Sequence, residues 1–288
     1  MLSSSLVNIK NIDHLGIVAG LIDEIGIVEL IEEKLGIDQR EKISAGKVVK
    51  AMILNGLGMV SQPLYLFTQF FEDKAVEKLL GSGIKAEYLN DDKLGRVMDE
   101  IYKYGLTNLF VDIVLKVINK FNIQTSFSHL DATSFHLHGE YNGDKIEDNS
   151  EEIMKARPIL IKKGYSRDHR FDLKQCVLDL IVSNDNAIPL FMRAGDGNET
   201  DVEAFGKIFV EFKKRVKLDS IMVADCALFS QNNLNIMGDL KWITRVPLKL
   251  SMAKKIIEKS EILSMTIDEE MTDRKTKRIK QRITTKRL

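Results

Sequence analysis

The chain is predicted to be an α+β protein: a helical N-terminal domain over residues 1–123, then a mixed-sheet domain over 124–268. Apolar residues recur every three or four positions through the first part, the period of an amphipathic helix. From Phe127 to Phe135, Phe127, His129, Asp131, Thr133 and Phe135 alternate with Ser128, Leu130, Ala132 and Ser134, so the two faces of a strand would differ. Downstream the order is strand, hairpin, helix, strand, strand, which suits a mixed sheet covered by helices, with ligands at the strand ends.

Leu21, Ile25, Val28, Leu30, Ile31 and Leu35 predict one helix from Leu15 to Leu35, ended by Gly36. Ser44 is a plausible N-cap for a helix over Ala45–Met59. Pro63 suits the first turn of the next, whose aromatic stripe Tyr65, Phe67, Phe70, Phe71 is read as core. A short segment over Ala75–Leu80 stops at the turn Gly81-Ser82-Gly83, Asn90 or Asp91 caps a further helix over Lys93–Tyr104, and a last one spans Thr107–Asn119. Such helices suit a helix-turn-helix DNA reader or a plain bundle. Fourteen basic against 17 acidic residues through Lys120 give no net basic field, which favours the bundle.

In the second domain, Cys176–Val182 is a strand by its β-branched content, Asn184-Asp185-Asn186 is the hairpin turn and Ile188–Arg193 the return strand. Thr200 or Asp201 caps a helix over Val202–Val216. Ile221-Met222-Val223-Ala224 leads into Asp225, and a final strand spans Leu240–Val246, where Trp242 is read as core.

The net charge is zero, with 44% hydrophobic and 29% charged residues, ordinary for a globular protein. That balance hides a basic tail: residues 271–288 hold eight Lys or Arg (274, 275, 277, 278, 280, 282, 286, 287) against Asp273 alone. Residues 269–288 are therefore expected to be a solvated, disordered end. Cys176 and Cys226 lie in apolar runs and read as buried, reduced thiols. No apolar run approaches the roughly 20 residues of a membrane span, and the start lacks the layout of a signal peptide, so a soluble, cytoplasmic protein is expected.

Two aspartates are out of place by composition. Asp131 interrupts the strand His129-Leu130-Asp131-Ala132-Thr133-Ser134-Phe135, and Asp225 ends an apolar one. Strands select β-branched and aromatic residues, and a carboxylate withdrawn from water must be paired or metal-bound. Two strand-borne aspartates suggest a divalent-metal site assembled by the fold, although spacing alone does not carry the claim. His136 and His138 share a strand face, but without a third nitrogen or sulfur ligand they read as ordinary histidines. The polar patch from Gly164 to Gln175 has two readings: phosphate contacts through Arg167, Arg170 and Lys174, or a loop that satisfies itself. Arg245, at a strand end, is a further candidate phosphate contact, with a surface ion pair as the alternative.

Five phrases in order carry a resemblance. They are His129-Leu130-Asp131-x-Thr133-Ser134-Phe135; Gly164-Tyr165-Ser166-x-Asp168-His169-Arg170-x-Asp172-Leu173-Lys174-Gln175; Gly197-Asn198-x-x-Asp201; Val223-Ala224-Asp225-x-Ala227-Leu228; and Ile243-Thr244-Arg245-Val246-Pro247. Together they resemble the DDE transposases of bacterial insertion sequences, whose catalytic core has the ribonuclease H-like fold. The N-terminal phrase Asn90-Asp91-Asp92-x-Leu94-Gly95-Arg96 looks like the helical domain preceding that core in one such group.

The resemblance implies that Asp131 and Asp225 are catalytic metal ligands which, with a Glu, hold two Mg²⁺ or Mn²⁺ ions. Hard oxygen ligands suit Mg²⁺, and two ions activate the attacking oxygen and stabilise the leaving oxygen of an in-line phosphoryl displacement. The implied partners are DNA, as terminal inverted repeats and target, and a homo-oligomer on DNA, with nucleoid association in a bacterial cytoplasm. The sequence departs from the pattern at the third acid: Glu258, Glu261, Glu269 and Glu270 come too soon and without the expected Tyr/Arg/Glu/Lys cluster. The expectation is a core incomplete at its C-terminus, truncated or frameshifted, and inactive alone. The alternative is a non-catalytic DNA-binding or interaction fragment that interferes with full-length transposase; a third reading is a self-sufficient metal-dependent nuclease.

Overall fold

The computed structural model describes residues 9–141, 158–166, 169–251 and 253–254, together with four two-residue strands farther on. The chain divides into two units, residues 1–243 and 244–288. The first begins with helices: α1 (Leu15–Ile25), α2 (Ile27–Leu35), α3 (Ala45–Gly56), α4 (Phe67–Glu72), α5 (Val76–Leu80), α6 (Asp91–Tyr104) and α7 (Leu106–Phe121). The mixed sheet follows, built from β1 (Phe127–Leu137), β2 (Lys174–Ser183), β3 (Pro189–Gly195), β4 (Ile221–Ala224) and β5 (Trp242–Thr244), with α8 (Asp201–Arg215) and α9 (Gln231–Met237) inserted. This is the predicted class: helices first, then a five-stranded mixed sheet.

Two of the expected caps form, whereas Thr200 takes the N-cap position of α8 without a side-chain cap bond. Ser44 Oγ accepts from the Lys47 N–H at 3.4 Å and Asn90 Oδ1 from the Lys93 N–H at 2.9 Å. The single helix expected over 15–35 is two. Gly26, at φ 79°, closes α1 in the left-handed conformation, and α2 starts at the next residue. The apolar period survives this break, so periodicity could not reveal it. The aromatic stripe also needs a correction: Phe67, Phe70 and Phe71 are core, but Tyr65 is 76% exposed.

The helical core gathers Leu15, Ile31, Val48, Leu54, Phe71 and Leu94. A second core under the sheet gathers Ile181, Phe191, Phe205, Phe209, Phe212 and Met222. α7 belongs to both, with Leu109 in the first and Val111 and Val114 in the second. On α8, Phe205, Ile208, Phe209 and Phe212 form one stripe at helical spacing, all buried; each such side chain contributes about 1.5–3 kcal/mol. Acids in its first turn and three cations in its last suit the helix dipole. Trp242 packs partly buried against this core, as expected.

The strand order is β3-β2-β1-β4-β5. β1, β2 and β3 are antiparallel neighbours, while β4 runs parallel to β1. The turn at Asn184–Asn186 is where the sequence places it. α9, which follows β4, was not predicted: its seven residues are too few and too polar to show a period.

In the second unit β6 (Thr266–Ile267) pairs with β9 (Ile283–Thr284), and β7 (Met271–Thr272) with β8 (Ile279–Lys280), both antiparallel. The basic tail, expected to lack regular structure, thus includes three of these short strands, each with a threonine or isoleucine that favours extended backbone. Its remaining residues lie outside the described set. No described helix is long and apolar enough to cross a membrane.

Candidate metal and nucleic-acid site

β1 and β4 are in parallel register, with Phe127 beside Ile221, Ser128 beside Met222 and His129 beside Val223. Asp131 and Asp225 each lie two residues beyond the last of these pairs, and Asp225 keeps extended backbone (φ −70°, ψ −173°) as it leaves β4. Neighbouring strands lie about 4.8 Å apart, and residues in register share a face. Leu130, Ala132, Met222 and Ala224 point into the core, so both aspartates project from the opposite face, where both are exposed. Two carboxylates remote in sequence thus sit on the same face of neighbouring strands.

Each carboxylate is oriented by its own strand end. Asp131 Oδ1 accepts from the Ala132 N–H at 2.9 Å. Asp225 Oδ1 accepts from the Ala227 N–H at 2.9 Å, capping the 3-10 turn Cys226–Leu228. Across the sheet, Leu180 stands opposite Asp131 and Leu178 opposite Thr133, which puts an aliphatic side chain beside Asp131. The donor set is hard oxygen, which fits Mg²⁺ or Mn²⁺ and not a soft metal. Among the described residues no third His, Cys, Asp or Glu joins the pair.

The other predicted contacts sit elsewhere. Lys174 is opposite Leu137, six positions beyond Asp131 along β1, or about 20 Å at strand rise. Its Nζ donates to the carbonyl oxygens of Glu140 at 2.5 Å and Tyr141 at 2.7 Å. Arg170 forms a two-pronged pair with Asp172, Nε to Oδ1 at 2.9 Å and Nη2 to Oδ2 at 2.8 Å. Those hydrogen bonds hold the Asp172 carboxyl down at about 2. Arg167 lies outside the described residues, and Arg245 is exposed in the second unit. Of the two readings of the polar patch, the described bonds are those of a loop that satisfies itself.

That loop is held by residues whose role spacing did not reveal. Gln175, 2% exposed, donates from Nε2 to the carbonyl of Gly197 at 2.8 Å and of Tyr165 at 3.2 Å. Its backbone exchanges both hydrogen bonds with Lys162, and the Gly197 N–H reaches the Leu160 carbonyl at 2.9 Å. Ser166 Oγ bonds His136 Nε2 and accepts the Arg170 N–H, both at 2.9 Å. His136 thus has a hydroxyl partner from the loop. Cys176 and Cys226 form no disulfide and are half-buried where burial was expected; burial pushes the Cys176 thiol up.

On the core face, Asp179 is 1% exposed and receives Arg193 Nε at 3.0 Å and Nη2 at 2.7 Å. The same Nη2 reaches Glu199 at 2.8 Å, tying β2 and β3 to the loop before α8. Burial pushes the Asp179 carboxyl up, against the downward pull of Arg193.

Comparison with known proteins gives two findings. A family described as a domain of unknown function (DUF4277) matches residues 7–115. The structure titled "Mos1 transposase paired-end complex with left transposon end" is similar at 10% identity, over 82% of this chain and 78% of that chain, with a TM-score of 0.27. No curated protein sequence matches the chain.

Proposed function

We propose that the chain is a DDE-class DNA transposase component whose metal ligands are Asp131 and Asp225, acting on insertion-sequence ends. The observation that supports this reading is the parallel β1–β4 register, paired as far as His129 and Val223, with Asp131 and Asp225 each two residues beyond that last pair. They are the two positions at which the sequence phrases resemble the family's first and second acids. Bound there, a divalent cation would supply charge stabilisation at a phosphodiester. Asp131 and Asp225 would hold it, kept in orientation by the Ala132 and Ala227 N–H groups.

A second reading, a DNA-binding chain that does not cleave, is favoured by one observation: among the described residues no third acid joins the pair. Both readings share the DNA partner, and both expect no cleavage from this chain by itself.

The test is Mn²⁺ binding by the purified chain, followed by calorimetry and by the electron paramagnetic resonance of the free ion. Asp131→Asn or Asp225→Asn should each weaken binding by at least about ten-fold, since each removes a charged ligand from the same ion. Equal Mn²⁺ affinity in wild type and both variants would sink the metal-ligand assignment. Single-turnover cleavage of DNA carrying the element's ends, by the wild-type chain with Mn²⁺, would contradict the expectation of inactivity alone.

A further inference from the structure

In the helical domain, a cleft of about 360 Å³ opens between the α2–α3 loop and the start of α6. Arg40, Lys42, Lys93 and Arg96 line it, together with Glu41, Glu87 and the ring of Tyr88. Its cations are not equally committed. Arg40 is chelated by Asp38, with Nη2 to Oδ2 at 2.7 Å. Lys93, 5% exposed, is paired with Glu41. Lys42 is exposed, with its ammonium 5.3 Å from the centre of the Tyr88 ring. Arg96 is exposed and has no ion pair or hydrogen bond among the described residues.

The phrase from Asn90 to Arg96 shows what the fold uses. Asn90 caps α6, the Lys93 stem is buried, and Leu94 is 1% exposed in the core. Arg96 is left with no structural task, one turn along α6 from Lys93 and facing the same cleft. A guanidinium and an ammonium converging across a concave polar surface match a phosphodiester, which takes a fork from arginine and a point charge from lysine. Glu87 is the remaining acid in the lining, so the uncommitted charge is net positive.

We propose that this cleft is a phosphate-backbone contact for double-stranded DNA, made by Lys42 and Arg96 and independent of base sequence. The proposal rests on the DNA-processing reading above and adds to it a second DNA contact, in the helical domain. It agrees with the acidic excess of that domain: one local pair of cations grips the backbone without a domain-wide basic field.

The experiment is fluorescence anisotropy of the full chain with short labelled duplexes of unrelated sequence, over a series of salt concentrations. The Lys42→Ala/Arg96→Ala double variant should bind every duplex on the order of ten-fold more weakly, and its log K against log salt slope should fall by about 2. Arg96→Lys should recover part of the affinity, because the charge returns without the fork. Circular dichroism should show the fold unchanged, since both side chains lie outside the core. Unchanged affinity and slope in the double variant would overturn the cleft while leaving the Asp131–Asp225 assignment intact. Inorganic phosphate competing out the duplex far more strongly than other salts of equal ionic strength would make this a free-phosphate site and also overturn it. Wild-type chain that binds no duplex would reject both the cleft and the DNA partner.

Discussion

Gly197→Ala should destabilise the sheet unit by about 3 kcal/mol or more, beyond the ordinary range for an inserted methyl. A Cβ at Gly197 would lie 1.9 Å from the Gln175 carbonyl oxygen and 2.5 Å from that of Lys162. Both are backbone atoms in a paired segment, so no rotamer change relieves the overlap. Gly164→Ala should behave alike, because its Cβ would meet the Gly197 carbonyl oxygen at 1.9 Å. Both glycines belong to the phrases that carry the family resemblance, and the structure gives them a packing reason: three backbone segments cross at Gln175. Gly20→Ala serves as the control. Nothing lies within 4 Å of its added methyl, so a gain of about 0.5–1 kcal/mol in α1 is expected. Urea unfolding of the three variants measures this; a Gly197→Ala midpoint equal to wild type would refute the crossing.

What the sequence made legible is what repeats locally. Alternation in β1 marked Asp131 as an intruder, and the apolar run of β4 marked Asp225. Their adjacency needed the parallel register, which no local pattern encodes. The split at Gly26 was hidden because the apolar stripe keeps its phase across a left-handed residue. Tyr65 fits the stripe of Phe67 and Phe71 by spacing but precedes α4, in a 3-10 turn whose residues eclipse at three and not at three to four. Arg170 and Lys174 looked available because their partners are an acid two residues away and two backbone carbonyls, which composition cannot display. The joint role of Gln175 and Gly197 leaves no local pattern, since their contact spans 22 positions.

Arg193→Met should cost about 3–5 kcal/mol at neutral pH, the range for removing one partner of a buried ion pair. The loss is greater than the pair's own contribution because Asp179 stays behind, buried, with Glu199 and Asp201 both raising its carboxyl further. In the folded wild type that carboxyl is already above its ordinary value of 3.8, because burial outweighs the pull of Arg193. Without the guanidinium it rises more. The sign follows from proton counting. Between the unfolded and the raised folded value the native state binds more protons, so stability falls as pH rises through the folded value. The variant's deficit should therefore be full above that value and shrink as pH is lowered toward the unfolded one, seen as a smaller gap in urea midpoint at about pH 5 than at about pH 8. The double variant Asp179→Leu/Arg193→Met removes both charges, and Glu199, with 23% of its side chain exposed, stays in contact with water. It should be more stable than Arg193→Met alone, since an apolar pair of similar volume often matches a buried ion pair. A double variant at least as unstable as Arg193→Met, with no change in deficit across that pH range, would mean that Arg193 acts by filling space. Ala132 stands opposite Asp179 in the sheet, next to Asp131, so Mn²⁺ affinity measured on the same variants reports whether the buried pair also steadies the strand that carries the candidate ligand.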